Sequence, residues 1–233
     1  TRGKKTIHGE SGKTAATKTI LPPFSFGGHT IERLVCTVRD LNTTSSIEDQ
    51  AGIPIAGVIG MDVLRRFRTV IKPQEAQLLL SNPANHEKIT DGIKLKREWG
   101  LGIRPTIRAQ INNKTRWMIL DTGASITLAN GKCLNLPESS KLSSGAIKGS
   151  GKKKKRSKKL DRYRIQELGI AGIPKGEGIL YDRRRGPFYM GLLGLNILGD
   201  YAHEYDWKHG RARFTPIEKS ALPIFRPGSL PRQ

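Results

Sequence analysis

Apolar residues in this chain fall in short runs separated by turn formers. Ile107 to Ile111 and Thr115 to Leu120 are two such runs, joined by Asn112-Asn113. Asparagine tolerates positive φ, so this spacing predicts a tight hairpin. Tyr163 to Ile170 and Gly178 to Tyr181 read as further short strands. Two more hairpins are predicted, Arg68 to Lys72 with Ala76 to Leu80, and His203 to Asp206 with Arg211 to Thr215 around Lys208-His209-Gly210. Ala129 to Pro137 reads as a loop or short helix, and Asn196 to Tyr201 as one or two helical turns. Many short strands with regular turns predict an all-β architecture with little helix.

The pattern also repeats. Gly57 to Leu64 reads GVIGMDVL and Gly191 to Leu198 reads GLLGLNIL, with both glycines and the final leucine in common. Upstream, TIHGESGK (Thr6 to Lys13) resembles AIKGSGKK (Ala146 to Lys153), one inserted residue apart. The separation from Gly9 to Gly57 in one half is close to that from Gly149 to Gly191 in the other. Two echoes in the same order predict a tandem duplication of one supersecondary unit.

One stretch carries chemistry. In WMILDTGASI, Trp117 to Ile126, an apolar strand runs into an Asp and then a Thr-Gly-Ala-Ser turn. A carboxylate at the end of a buried strand needs partners, because an unpaired buried charge is costly. Glycine lets a second backbone approach the carboxylate, and Thr and Ser can hydrogen-bond around it. Two such carboxylates brought together cannot both ionise easily and share a proton. One can then act as base on a bound water while the other protonates the carbonyl under attack. An isolated Asp of this kind can equally be a turn cap helped by Thr and Ser.

Asp121 to Ser125 after an apolar strand, a glycine flap candidate at Gly145 to Gly151, and Leu192-Leu193-Gly194 before a short helix together resemble the retropepsin-like branch of the aspartic proteases. The resemblance implies an acid-protease fold of two related β-barrel-like lobes, with an active site between two units that each supply one Asp. It implies Asp121 as catalytic carboxylate, Thr122 as cross-loop grip, Gly123 as the close-approach glycine and Ser125 as outer hydrogen-bond partner. Gly149 and Gly151, with Gly9 and Gly12 in the first repeat, become the flap glycines. On this reading residues 1–81 form a first lobe, 82–102 a connector, 103–216 a complete second lobe and 217–233 an extended tail. The implied substrate is a polypeptide, and no cofactor or metal is called for.

The sequence departs from that pattern in two places. No Asp-Thr-Gly precedes Val58-Ile59-Gly60; the offset from Asp121 to Gly149, counted back from Gly9, falls ahead of Thr1. Asp40, Asp62 and Asp91 stand in the wrong contexts to replace the missing one. Three readings follow: a longer natural chain, which the repeat favours; a second chain supplying the partner carboxylate in a dimer; or a pseudoenzyme. The second departure is KKKKRSKK, Lys152 to Lys159, where a flap would be expected. Between Lys148 and Arg164 lie ten Lys or Arg against one acidic residue, Asp161. Such a block is a solvated insertion unless a polyanion meets it, and Lys152, Lys153, Lys154, Lys155, Arg156, Lys158 and Lys159 are the contact candidates.

Composition sharpens the second possibility. A net charge of +21 over 233 residues draws polyanions such as RNA or an anionic surface. It supports an alternative reading, a protease-fold protein without activity that serves as a basic structural or RNA-associated component of a ribonucleoprotein such as a ribosome. The longest mainly apolar run, Met190 to Leu198, is too short to span a bilayer. Cys36 and Cys133 make neither a metal spacing nor a disulfide framework. Gly9 to Thr14 lacks the phosphate-loop glycine five residues before Gly12, where Ile7 stands. His203, Glu204, Asp206 and His209 alternate along a predicted edge hairpin and read as a solvated strand rather than a metal cluster.

Overall fold

The computed structural model describes residues 2–9, 12–38, 52, 54–98, 104–130, 134, 136–147, 158–170, 176–182 and 191–217. Two compact units divide the chain: Thr1–Val58 with Ile147–Lys158 and Ile224–Gln233, and Ile59–Ala146 with Lys159–Pro223. In the first unit, β1 (Arg2–Gly9) and β2 (Gly12–Ile20) form an antiparallel hairpin with Gly9 opposite Gly12. A small hairpin follows, β3 (Phe24–Phe26) and β4 (His29–Ile31), before β5 (Val35–Val38) pairs with β2. Gly27 and Gly28, both at positive φ, make the turn that a side chain would strain.

The second unit begins with the one-turn helix α1 (Met61–Leu64), then β6 (Arg68–Lys72) and β7 (Gln77–Ser81). Short strands β8 (Ile93–Lys94) and β9 (Lys96–Glu98) lie within residues 82–102, which therefore contribute to the sheets as well as linking the repeats. Next come β10 (Arg104–Ile111), β11 (Lys114–Leu120), β12 (Thr127–Ala129), β13 (Lys141–Ile147), β14 (Lys158–Ile170) and β15 (Gly176–Asp182). The last elements are β16 (Gly191–Leu193), a second one-turn helix α2 (Leu195–Leu198), β17 (Tyr201–Asp206) and β18 (Arg211–Pro216). The fold is all-β, as the pattern of short apolar runs predicts.

Eight strands form one sheet in the order β13-β14-β15-β12-β16-β11-β10-β9, and β14 also pairs with β10. The sheet thus curls back on itself in a barrel-like manner. The β10–β11 hairpin turns on Asn112 (φ 45°) and Asn113 (φ 62°), the geometry that Asn-Asn predicts. Ile107, Ala109 and Ile111 alternate onto the closed face, where they meet Met118, Leu120, Ile165, Leu180, Leu193 and Leu198 in one core. Arg108 takes the opposite, exposed face of the same strand.

A five-stranded sheet, in the order β7-β6-β17-β18-β8, brings elements of the two echoed segments together. The step from Gly57 to Gly191 sets the offset between the repeats. Applied to α1, it gives the bounds of α2, and the two preceding glycines share one conformation: Gly60 at φ −96°, ψ 177° and Gly194 at φ −101°, ψ 179°. Strands β6 and β17 pair antiparallel with Val70 opposite Glu204, Thr69 opposite Tyr205 and Ile71 opposite His203. Glu204 is the image of Val70 under the same offset, so each residue lies across from the image of its mirror position. A local two-fold axis therefore runs between Val70 and Glu204. The side-chain bonding matches as well. Thr69 Oγ1 donates to the Leu64 carbonyl at 3.0 Å, and its image His203 donates from Nε2 to the Leu198 carbonyl at 2.7 Å.

The expectation of a solvated edge strand at His203 to His209 is corrected here. Strand β17 is flanked by β6 and β18, and His203, Tyr205 and Asp206 are buried. Polar letters conceal a core element because each polar group has a partner inside. His203 donates to Leu198, which leaves Nδ1 of its neutral ring to accept from the Tyr205 hydroxyl at 3.3 Å. Tyr205 stacks on Trp207 with ring centroids 4.7 Å apart, and Phe214 packs against both His203 and Tyr205. Among the described residues, no helix is long and apolar enough to cross a membrane.

Candidate functional site

The apolar end of β11 fixes where the Asp stands. Met118, Ile119 and Leu120 are buried, and they run parallel to β16 with Met118 opposite Gly191 and Leu120 opposite Leu193. The Asp121 N–H donates to the Leu193 carbonyl at 3.0 Å, continuing that ladder for one more residue. Beyond it the chain turns, and β12 comes back on the other side of β16, pairing Leu128 with Leu192. The loop from Asp121 to Ile126 therefore straddles β16 at the start of α2. Asp121 is half-buried at the strand end, while Thr122, Gly123 and Ser125 are exposed.

Several bonds hold this loop in place. The Gly123 N–H donates to Asp121 Oδ1 at 3.1 Å, and the Ala124 N–H to the Asp121 carbonyl at 3.1 Å. From the other side, the Leu195 N–H donates to the Ala124 carbonyl at 2.8 Å and the Asn196 N–H to the Ser125 carbonyl at 3.2 Å. Gly194 makes the approach feasible, because a Cβ there would run into the backbone carbonyls of Ile126 and Ala124. Its N–H donates to Thr127 Oγ1 at 3.0 Å, and that hydroxyl lies 2.8 Å from Asn196 Oδ1. Acceptance from Gly194 leaves the Thr127 hydroxyl hydrogen free to donate to Asn196. The result is one carboxylate on a rigid loop, with an edge open to solvent.

Thr127 and Asn196 were not singled out from the chain, although Asn196 interrupts the apolar run Met190 to Leu198. That interruption is the available signal: a polar residue in a buried stretch needs a partner, and Thr127 follows the Asp-Thr-Gly-Ala-Ser turn by two positions. Of the predicted flap residues, Gly9 and Gly12 face each other at the end of the β1–β2 hairpin in the first unit. Gly149, Gly151, Lys152, Lys153, Lys154, Lys155 and Arg156 lie outside the described residues, and Lys158 and Lys159 open β14.

A second cluster, missed in the sequence, lies on the five-stranded sheet. The buried Arg68 donates to Glu204 Oε1 at 2.8 Å from one guanidinium nitrogen and at 3.1 Å from Nε, and lies 3.1 Å from Asp206 Oδ2. Glu204 also meets Arg213 at 3.2 Å, and Arg213 meets Asp91 at 2.6 Å. Burial pushes the Asp206 carboxyl pKa up. Hydrogen bonds from the His209 ring and N–H and from the Ile89 N–H more than offset this, and its pKa lies below the ordinary value. Burial lowers the His203 pKa, only partly opposed by its bond to Leu198. These groups join strands on both sides of the two-fold axis. Among the described residues, no group of three or more His, Cys, Asp or Glu is placed to hold a metal ion.

The basic character of the surface also has a local expression. Trp117, on the outer face of β11, has Lys96 Nζ 5.2 Å and Arg108 Cζ 6.0 Å from its ring centroid. These are cation–π distances.

A scan against protein-family models finds no match for this chain. A search of curated proteins finds none either.

Proposed function

We propose that this chain acts as a retropepsin-like aspartic endopeptidase in which Asp121 is one of two catalytic carboxylates. The observation that supports this most is Asp121 itself, held at a strand end by a loop pinned to β16 and α2, with one edge open to solvent. A turn cap alone would not need a loop fixed from both sides. The duplication around the Val70–Glu204 axis adds support, since it relates two copies of the elements that follow such a loop. Residues 1–233 carry the Asp-Thr-Gly motif once, so this reading requires a second carboxylate to meet Asp121. With both in place, one carboxylate takes a proton from water while the other gives one to the peptide carbonyl oxygen. Attack on the carbonyl carbon then needs no covalent enzyme intermediate. Such a shared proton gives a bell-shaped pH dependence of kcat/KM with both limbs on the acid side. The test is the pH profile of peptide-library hydrolysis by protein purified from its natural source. A single-limbed profile rising toward neutral pH would rule out the proton-sharing pair.

The charge supports a second reading, a basic RNA-associated component that retains the fold. Its specific observations are the net charge of +21 and the Lys96–Trp117–Arg108 cluster on the open sheet face. On this reading, deleting Lys152 to Lys159 weakens retention on RNA and flattens its salt dependence. Absence of RNA binding at low salt would end it.

A further inference from the structure

The β10–β11 hairpin carries one sign of charge. From Arg104 to Trp117 it holds Arg104, Arg108, Lys114 and Arg116 and no acidic residue. Arg108 stands directly opposite Trp117 in the register, and alternation puts both on the outer face. Lys96 joins them from β9, where it pairs with Thr106 and its carbonyl accepts from Thr106 Oγ1 at 2.9 Å. Strands β9 and β11 are second neighbours, about 10 Å apart. Lys96 Nζ nevertheless comes within 5.2 Å of the Trp117 ring centroid, so the two side chains lean together above β10.

Lys96 and Arg108 are exposed, and among the described residues no carboxylate pairs with either. Cations elsewhere on this unit do close on carboxylates, Lys72 on Glu75, Lys141 on Glu138 and Arg213 on Asp91. Exposed cation–π contacts are individually weak, so sheet stability alone does little to offset drawing two like charges to one ring. The same face changes character at this point. Thr106 and Ile119, one step nearer Asp121, are buried, whereas Thr115, one step farther, is exposed. Trp117 marks where the covered face gives way to an open one.

We propose that this face binds single-stranded RNA, with an unpaired base stacked on Trp117 and its flanking phosphates on Lys96 and Arg108. The site rests on the RNA-associated reading and gives it a defined contact. A bare cationic surface attracts any polyanion, but an aromatic ring beside two unneutralised cations matches the alternation of π-face and phosphate along a single strand. A duplex keeps its bases stacked inside and offers such a ring nothing. The Thr115 hydroxyl, on the same face two residues from Trp117, is placed to meet a ribose 2′-hydroxyl, which DNA lacks. RNA binding here holds whether or not the chain cleaves peptides.

The probe is a single-stranded RNA of about 12 nucleotides, within the site sizes such surfaces cover, titrated with the full chain at low salt. Anisotropy of the fluorescein-labelled strand reports binding, and quenching of tryptophan emission by the unlabelled strand reports stacking. Trp117→Leu keeps an apolar side chain on the sheet. It removes the quench and weakens binding at least about fivefold, the low end for one base stacked on an aromatic, and Trp117→Tyr restores most of the affinity. Lys96→Gln with Arg108→Gln lowers the slope of log affinity against log salt by about 1.4, two phosphates of a single strand at about 0.7 each. Duplex RNA and single-stranded DNA of the same sequence bind more weakly, and polyglutamate leaves the emission unquenched. Unaltered RNA affinity in folded Trp117→Leu protein overturns the proposal and leaves the RNA-associated reading standing. Equal or tighter binding of duplex RNA or of the DNA strand also overturns it, as does equal quenching by polyglutamate. Absence of RNA binding at low salt ends both. Should Trp117→Leu fail to fold, the quench in the unaltered protein and the salt slope of the Lys96 and Arg108 variant decide.

Discussion

Alanine at two image-related glycines separates backbone that holds one of them from a side chain that meets the other. Gly194 and Gly60 have the same extended backbone, which alanine adopts without strain. Each substitution therefore gains about 0.4–1 kcal/mol by restricting the unfolded chain. The folded states differ. At Gly194 the new methyl meets the Ile126 and Ala124 carbonyls, in a loop tied down by Gly123, Leu195 and Asn196 N–H groups. Backbone held this firmly cannot turn aside, so the cost lies at the upper end of overpacking, about 3 kcal/mol. The net loss is about 2 kcal/mol, a fall in Tm of about 4–8 °C for a chain of this size. At Gly60 the obstacle is Asp62 Oδ1 at 2.8 Å, the end of a side chain that can rotate away. That variant is unchanged or more stable by up to about 1 kcal/mol. Urea denaturation followed by fluorescence of Trp117 and Trp207 measures both. Equal effects at the two glycines would refute the inference that backbone of the Asp121 loop closes on Gly194 while, among the described residues, only the Asp62 side chain meets Gly60.

Two other predictions concern the five-stranded sheet. Arg68→Met leaves the buried Asp206 without its guanidinium, and costs about 3 kcal/mol in chemical denaturation, the lower end for breaking a buried pair, because His209 and Ile89 still bond the carboxylate. Adding Asp206→Asn recovers part of that loss, and simple additivity of the two variants would show that the pair is not coupled. The pH dependence has two windows with one sign. His203 has a lowered pKa when folded, so the unfolded state binds its proton first, and stability falls as pH drops below about 6.5. Asp206, also lowered, contributes fully above its unfolded value of about 3.9 and loses that contribution as pH falls through its depressed folded value. His203→Gln therefore flattens the stability profile between neutral pH and about pH 5, and an unaltered slope there would show that His203 does not set it.

Alternating apolar runs revealed the strands, and the Asn112-Asn113 turn and the Gly57 and Gly191 echoes were readable because each depends on local backbone chemistry. The partners of buried polar residues were less so. His203, Asp206 and Arg68 look like solvent letters, and only the meeting of β6 with β17, which are distant in the chain, gives them an interior. Thr127 and Asn196 escaped notice for the same reason, since their bond crosses from one strand to a helix far along the chain. Asp121 itself was legible, because a charge ending an apolar strand contradicts the local pattern. Whether a second carboxylate meets it is a matter of assembly, which no local pattern encodes.

The measurement closest to the central claim is peptide-library hydrolysis at acidic pH by protein from its natural source, compared with the same protein carrying Asp121→Asn. If Asp121 is one of two proton-sharing carboxylates, the variant keeps its fold and loses hydrolysis by at least about a thousandfold, within the range seen when a general acid–base group is removed. A folded Asp121→Asn protein that hydrolyses the library at the unaltered rate would contradict it.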